Sequence, residues 1–206
     1  MTSILNRLSS QVTDRTETAN KRVAARALKR PALLAEIAAG LASADAKLAG
    51  DCAEVMTIVG AERPNLVSPH ASALIAQLDH KNTRVRWEIM HSLAEIAAHV
   101  PNKISPILLK LAETIALDTS VIVRDYAIET LGEYGRTSGS AARKAWPHLR
   151  EALTLWEGRH AGKALEAMQK LVTVDTALKA EVQDIAVGFV DHSSAKVRAA
   201  AKRLLR

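Results

Sequence analysis

The chain has 206 residues, 48% of them hydrophobic, with 28 Lys and Arg against 22 Asp and Glu and a formal net charge of +6. That length and apolar content suffice to bury a sizeable core in one domain or one repeat array. The single cysteine, Cys52, excludes an intrachain disulfide framework and a cysteine-based zinc site, and no apolar run is long enough to span a membrane. The positive charge is concentrated at the ends. Residues 1–30 hold seven Lys/Arg and two acids, and residues 195–206 hold five Lys/Arg and no acid. The segment between them holds 16 basic and 20 acidic residues, so the body is mildly acidic. Aromatics make up only 3% of the chain, which leaves Ala, Leu, Ile and Val as the apolar stock and favours closely packed helices. The Met1–Arg7 stretch lacks the apolar core of a signal peptide, and with the lone thiol it predicts a reducing, cytoplasmic setting.

In chain order, residues 1–30 predict a short basic helical cap, followed by five two-helix units over 31–68, 69–105, 106–142, 143–174 and 175–206. The period is visible directly. Pro64-Asn65-Leu66-Val67-Ser68-Pro69 recurs 37 residues later as Pro101-Asn102-Lys103-Ile104-Ser105-Pro106. Pro31, Pro69 and Pro106 are expected to open first helices, the last two after a capping serine. The fourth first helix is expected near 141–155 and the fifth near 177–190. Aligning Arg86, Arg124 and Arg198 with Ala49 and Ala161 gives steps of 37, 38, 37 and 37. Four residues earlier stand Asp45, Asn82, Ser120, Glu157 and Ser194, and four of these are good helix N-caps. Three residues later stand Cys52, Ile89, Ala127, Ala164 and Ala201, and seven later Met56, Leu93, Leu131, Met168 and Leu205. Columns that stay apolar at helical spacing predict a buried seam, with Cys52 a small hydrophobe inside it.

The 37–38-residue period, the early prolines, the Asp in the turn and the Val-Arg pairs at Val85-Arg86, Val123-Arg124 and Val197-Arg198 together resemble the HEAT-repeat family. The resemblance covers residues 31–206 and implies an all-α, right-handed α-α superhelix, a HEAT-like solenoid forming one domain over 1–206. It also implies a ladder in which Asp79, Asp118 and Asp191 pair with Arg86, Arg124 and Arg198. The fourth unit departs from the pattern, with Ala161 at the Arg position, Trp156-Glu157-Gly158 in its turn and a looser approach through residues 135–140.

No Gly-rich phosphate loop, His-Glu-x-x-His, Gly-x-Ser-x-Gly or cysteine cluster is present, so neither catalysis nor a cofactor is expected. His91, Glu95 and His99 share one helix face at spacing i, i+4, i+8, a pattern that fits a solvated His-Glu pair better than a metal site. Trp87, Trp146, Trp156 and Tyr126 raise an alternative, since HEAT-like DNA glycosylases acting on alkylated bases set aromatics beside a carboxylate. Trp87 and Asp125 occupy equivalent places in adjacent units, yet His91, Arg150 and His160 rather than acids follow the three tryptophans by one turn. The second helices instead carry Asp51, Glu54, Glu88, His91, Glu95, Asp125, Glu129 and Glu133, with Trp87 and Tyr126 among them. These residues predict an exposed acidic concave face on which a protein or peptide of basic and apolar character docks. Nucleic acid would bind only weakly, through the basic ends.

Overall fold

The computed structural model describes residues 3–13 and 16–206; Met1, Thr2, Asp14 and Arg15, which count toward the basic cap, lie outside the described residues. The chain forms two compact units, residues 1–100 and 101–206, and the described residues are helical without a strand.

The first unit begins with a 3-10 turn at Leu5–Arg7, followed by α1 (Thr18–Lys29), α2 (Leu33–Gly40), α3 (Ala46–Glu62), α4 (Pro64–Val67), α5 (Ala71–Ile75) and α6 (Thr83–Ile96). α3 packs between α1 and α6, while α2, α4 and α5 back the same layer. Asp45 and Asn82 cap α3 and α6 by accepting from the N–H groups of Lys47 and of Arg84 and Val85. Cys52, Met56, Ile89 and Leu93 are wholly buried between these helices. Burial pushes the Cys52 thiol up to about 12, which keeps it protonated and unreactive.

The second unit contains α7 (Pro101–Ile104), α8 (Leu108–Leu117), α9 (Val121–Gly135), α10 (Gly139–Ala152), α11 (Ala161–Val172), α12 (Lys179–Val187) and α13 (Ala195–Leu204). α11 packs between α9 and α13, with α8, α10 and α12 behind them. Two glycines bring α9 close to α11. A Cβ at Gly132 would stand 2.8 Å from the Ala167 Cβ, and one at Gly135 would stand 2.5 Å from the Leu171 Cδ1.

Three details differ from the sequence-based expectation. Pro69 and Pro106 do not open the first helices. Those helices begin at Pro64 and Pro101, and the second proline of each unit interrupts them with a 3-10 turn, Ser68–His70 or Ser105–Ile107. Proline has no N–H to donate and crowds the preceding turn, and the Ser68 hydroxyl takes up the Pro64 carbonyl instead of capping. The fourth unit departs from the repeat pattern as expected: Glu157 lies in a turn, and the second helix starts at Ala161. Ser194 stands at the α13 N-cap but makes no side-chain cap bond. Finally, Leu205 is 39% exposed because α13 ends before it, and Leu204 fills the seam.

Candidate functional site

In the first unit the second-helix layer holds a buried cluster of acids. Asp51, Glu54 and Glu88 were expected on the surface; they are 1%, 6% and 7% exposed. For Asp51 and Glu54 the reason is that α1 and the 3–13 segment supply donors that draw the carboxylates inward. Asp51 accepts from the Ser10 N–H at 2.6 Å, and Glu54 accepts from the Asn20 side-chain amide at 2.9 Å. Arg84, from the next repeat, donates to both, at 3.1 Å to Asp51 and 2.8 Å to Glu54. Glu88 accepts from the Thr57 hydroxyl at 3.3 Å, beside a 2.8 Å Thr57–Ser92 bond. Buried charge survives only with such partners. These groups border an open depression of about 580 Å³, which Glu17, Asn20, Asp51, Glu54 and Arg84 line, with Lys47 among its lining residues. His91 and Glu95 form the ordinary i, i+4 pair at 3.4 Å, and no group of three or more potential metal ligands occurs among the described residues.

Burial, followed by the neighbouring Glu54 charge, pushes the Glu88 carboxyl up to about 7. Burial also raises Glu54, against the opposing bonds from Asn20 and Arg84. A carboxyl raised in the folded state binds more protons there than in the unfolded chain. Its contribution to stability is therefore complete below the unfolded value, near 4.5, and is lost as pH rises through about 7. Glu88→Gln should accordingly gain stability over the parent as pH rises across that window, by at most about 3 kcal/mol at pH 8. Urea unfolding at pH 4.5 and pH 8 measures this; an equal difference at both pH values would contradict it.

In the second unit the acids of the second helices are tied to the following repeat. Glu129 of α9 pairs with Lys163 of α11 at 2.9 Å, Glu133 with Lys170 at 2.6 Å, and Glu166 of α11 with Arg203 of α13 at 3.0 Å. Glu133 also meets Arg136, just past the end of α9, and against its burial the lysine and arginine beside it hold its carboxyl below the usual range. The column five after the Arg position thus acts as a cross-repeat ladder: Glu54 to Arg84, Glu129 to Lys163 and Glu166 to Arg203. The sequence reading placed the ladder on Asp79, Asp118 and Asp191. Arg86 and Arg198, which that pairing assigns to Asp79 and Asp191, donate to the carbonyls of the turns before them, those of His80 and Lys81 and of His192 and Ser193.

Arg124 differs from these two arginines because it is 2% exposed. Its guanidinium donates to the Asp118 carbonyl and, through Nε, to His160 Nε2 at 2.8 Å, and it stacks 3.8 Å from the Trp156 ring centroid. His160, 1% exposed, turns its Nδ1 to the Asp125 carboxylate at 2.7 Å. Since Nε2 accepts from arginine, Nδ1 carries the proton donated to Asp125. The Trp156 indole N–H donates to the Ile115 carbonyl at 2.9 Å. Trp156, Glu157 and Gly158 all have positive φ, of 53°, 57° and 74°. For the two non-glycine residues that conformation costs about 1–2 kcal/mol each, and the anchored indole offsets it.

No family model and no curated protein sequence matches the chain. Solved structures do. A designed armadillo repeat protein in complex with the peptide (KR)4 superposes with a TM-score of 0.76 at 14% identity, covering 98% of this chain and 96% of that one. A computationally designed armadillo repeat protein for modular peptide recognition gives 0.70 at 14% identity, over 98% and 97% of the two chains. An archaeal HEAT-like repeats protein from Thermococcus onnurineus NA1 gives 0.53 at 14%, over 90% of each. The chain has a HEAT/armadillo-type repeat fold. Among the described residues no helix is long and apolar enough to cross a membrane. Within the repeat fold the aromatics occupy distinct places. Trp146 is buried in α10, Trp156 is taken up by Arg124, and Trp87 and Tyr126 are half-buried on α6 and α9.

Proposed function

We propose that this chain is a non-catalytic protein-interaction scaffold that receives a basic, partly apolar segment of a partner on the second-helix layer of residues 1–100. The observation that carries the reading is the depression beside α3, where Asp51, Glu54 and Glu17 gather and Arg84 is bonded to the first two. A lysine or arginine side chain entering there meets carboxylates already oriented by Ser10, Asn20 and Arg84, so little ordering is needed on binding. Trp87, half-buried on the same helix as Glu88, supplies anchoring area. The structural likeness to a designed repeat protein in complex with (KR)4 supports a basic peptide as the partner class. Glu129 and Glu133 contribute less in this reading, because Lys163, Lys170 and Arg136 already neutralise them. A reducing, cytoplasmic setting belongs to the same proposal and agrees with the one buried thiol.

The test is calorimetric titration with an alternating Lys-Arg octapeptide and with an alternating Glu-Ala control. The octapeptide should bind and the control should not. Asp51→Asn with Glu54→Gln should weaken binding about tenfold or more, since each removes a charge-assisted contact. Affinity should fall as salt rises. Equal binding of both peptides, or no effect of the double variant with the fold intact, would refute the reading.

A further inference from the structure

Four cations of the second-helix layers are paired: Arg84, Lys163, Lys170 and Arg203 each hold an acid of the preceding repeat. Another set of cations behaves differently. Arg7 from the opening 3-10 turn and Arg22 and Arg26 from α1 border a separate depression of about 320 Å³, floored by Val12, Ala19 and Val23. Among the described residues these three arginines have no ion pair or side-chain hydrogen bond, and all three are exposed. This depression uses other positions of α1 than the acidic one, which Glu17 and Asn20 line.

Guanidiniums that border one depression with an apolar floor raise the positive potential there, which an anion of matching size relieves. Guanidinium presents a planar fork of donors suited to phosphate oxygens, and three of them match a dianion better than a single charge. The floor adds a second requirement. Val23 is 2% exposed and Ala19 8%, but Val12 is 47% exposed and offers apolar surface to the stem that carries the anion. The volume suits one side chain, whereas a nucleic-acid backbone needs cations spread along a track.

We infer that the Arg7–Arg22–Arg26 depression is a binding site for a phosphomonoester on an apolar stem, presented by a phosphorylated side chain of a protein partner. It stands independently of the acidic depression. Phosphorylation of the partner would then add to docking by supplying the charge that the three arginines lack.

Phenyl phosphate is the probe, titrated into the full chain and followed by backbone amide shifts. Saturable shifts are expected at Arg7, Ala19, Arg22, Val23 and Arg26. Inorganic phosphate should bind several-fold more weakly, because it leaves the apolar floor uncovered. Arg22→Ala with Arg26→Ala should weaken phenyl phosphate at least about tenfold while leaving the circular dichroism melt unchanged, since the two side chains are exposed. Arg7→Ala, on a different element, gives an independent reading of the same loss. A peptide bearing phosphotyrosine should compete with phenyl phosphate, and its unphosphorylated form should not. Absence of saturable binding, or unchanged affinity in both variants, overturns the site. A single-stranded DNA that displaces the probe with affinity rising steadily with strand length overturns the partner class in favour of a nucleic-acid surface.

Discussion

His160→Ala should cost the second unit about 3–5 kcal/mol, the range for removing one partner of a buried charge. The Arg124 guanidinium is 2% exposed and spends its Nε–H on His160 Nε2 at 2.8 Å. Without the imidazole that donor faces a cavity, and the Asp125 carboxylate loses its 2.7 Å partner as well. The loss spreads to the turn, because Trp156 lies against the same guanidinium in a backbone conformation that only its contacts sustain. Burial, with the nearby Arg159 charge, also pulls the Arg124 pKa downward. Urea unfolding followed by far-UV circular dichroism measures the effect. Arg124→Met, which removes the charge and keeps volume, should cost less than His160→Ala, because no cation is then left unpartnered. The reverse order would mean that packing, and not charge, governs this junction.

Leu93→Ala and Leu131→Ala should each cost about 2–5 kcal/mol. Both side chains are wholly buried, Leu93 in α6 of the first unit and Leu131 in α9 of the second. Each truncation leaves a void in a helix layer whose neighbours are already in place, and close-packed interiors relax only partly. In a repeat fold each element is supported chiefly by its neighbours, so the defects should be felt locally. Hydrogen exchange should rise first in α3 and α6 for Leu93→Ala and in α9 and α11 for Leu131→Ala. Uniform acceleration along the chain would contradict the local character, and unaltered unfolding midpoints would contradict the seam.

The architecture was legible because it rests on periodic apolar columns. Cys52, Ile89, Ala127, Ala164 and Ala201 lie 37 or 38 residues apart and are all buried. A helix must turn that stripe inward whatever its partners are. The caps Asp45, Asn82 and Ser120 followed from local chemistry in the same way. The polar site was harder to read, because charge at helical spacing marks the outward face only where nothing covers it. Asp51 and Glu54 are covered by elements that supply donors from 30 to 41 residues away, namely Ser10, Asn20 and Arg84. Glu129 reads as a surface acid, yet its lysine partner sits 34 residues on, and Glu166 finds its arginine 37 residues on. A signal did exist: Glu54, Glu129 and Glu166 share one column, and Lys163 and Arg203 lie near that column one repeat later. The Arg124 network carried no such sign, since His160 replaces a cap and the turn before it bends through positive φ.

In the proposed function, the carboxylates beside α3 read a basic segment of the partner. The most direct measurement is an amide chemical-shift map of the full chain during titration with the Lys-Arg octapeptide, repeated with Asp51→Asn and Glu54→Gln together. Saturable shifts are expected at Ser10, Asn20, Asp51, Glu54 and Arg84, the groups joined by hydrogen bonds at the depression, together with their loss in the double variant. Shifts confined to α9, α11 and α13, or a map that the double variant leaves unchanged, would contradict it.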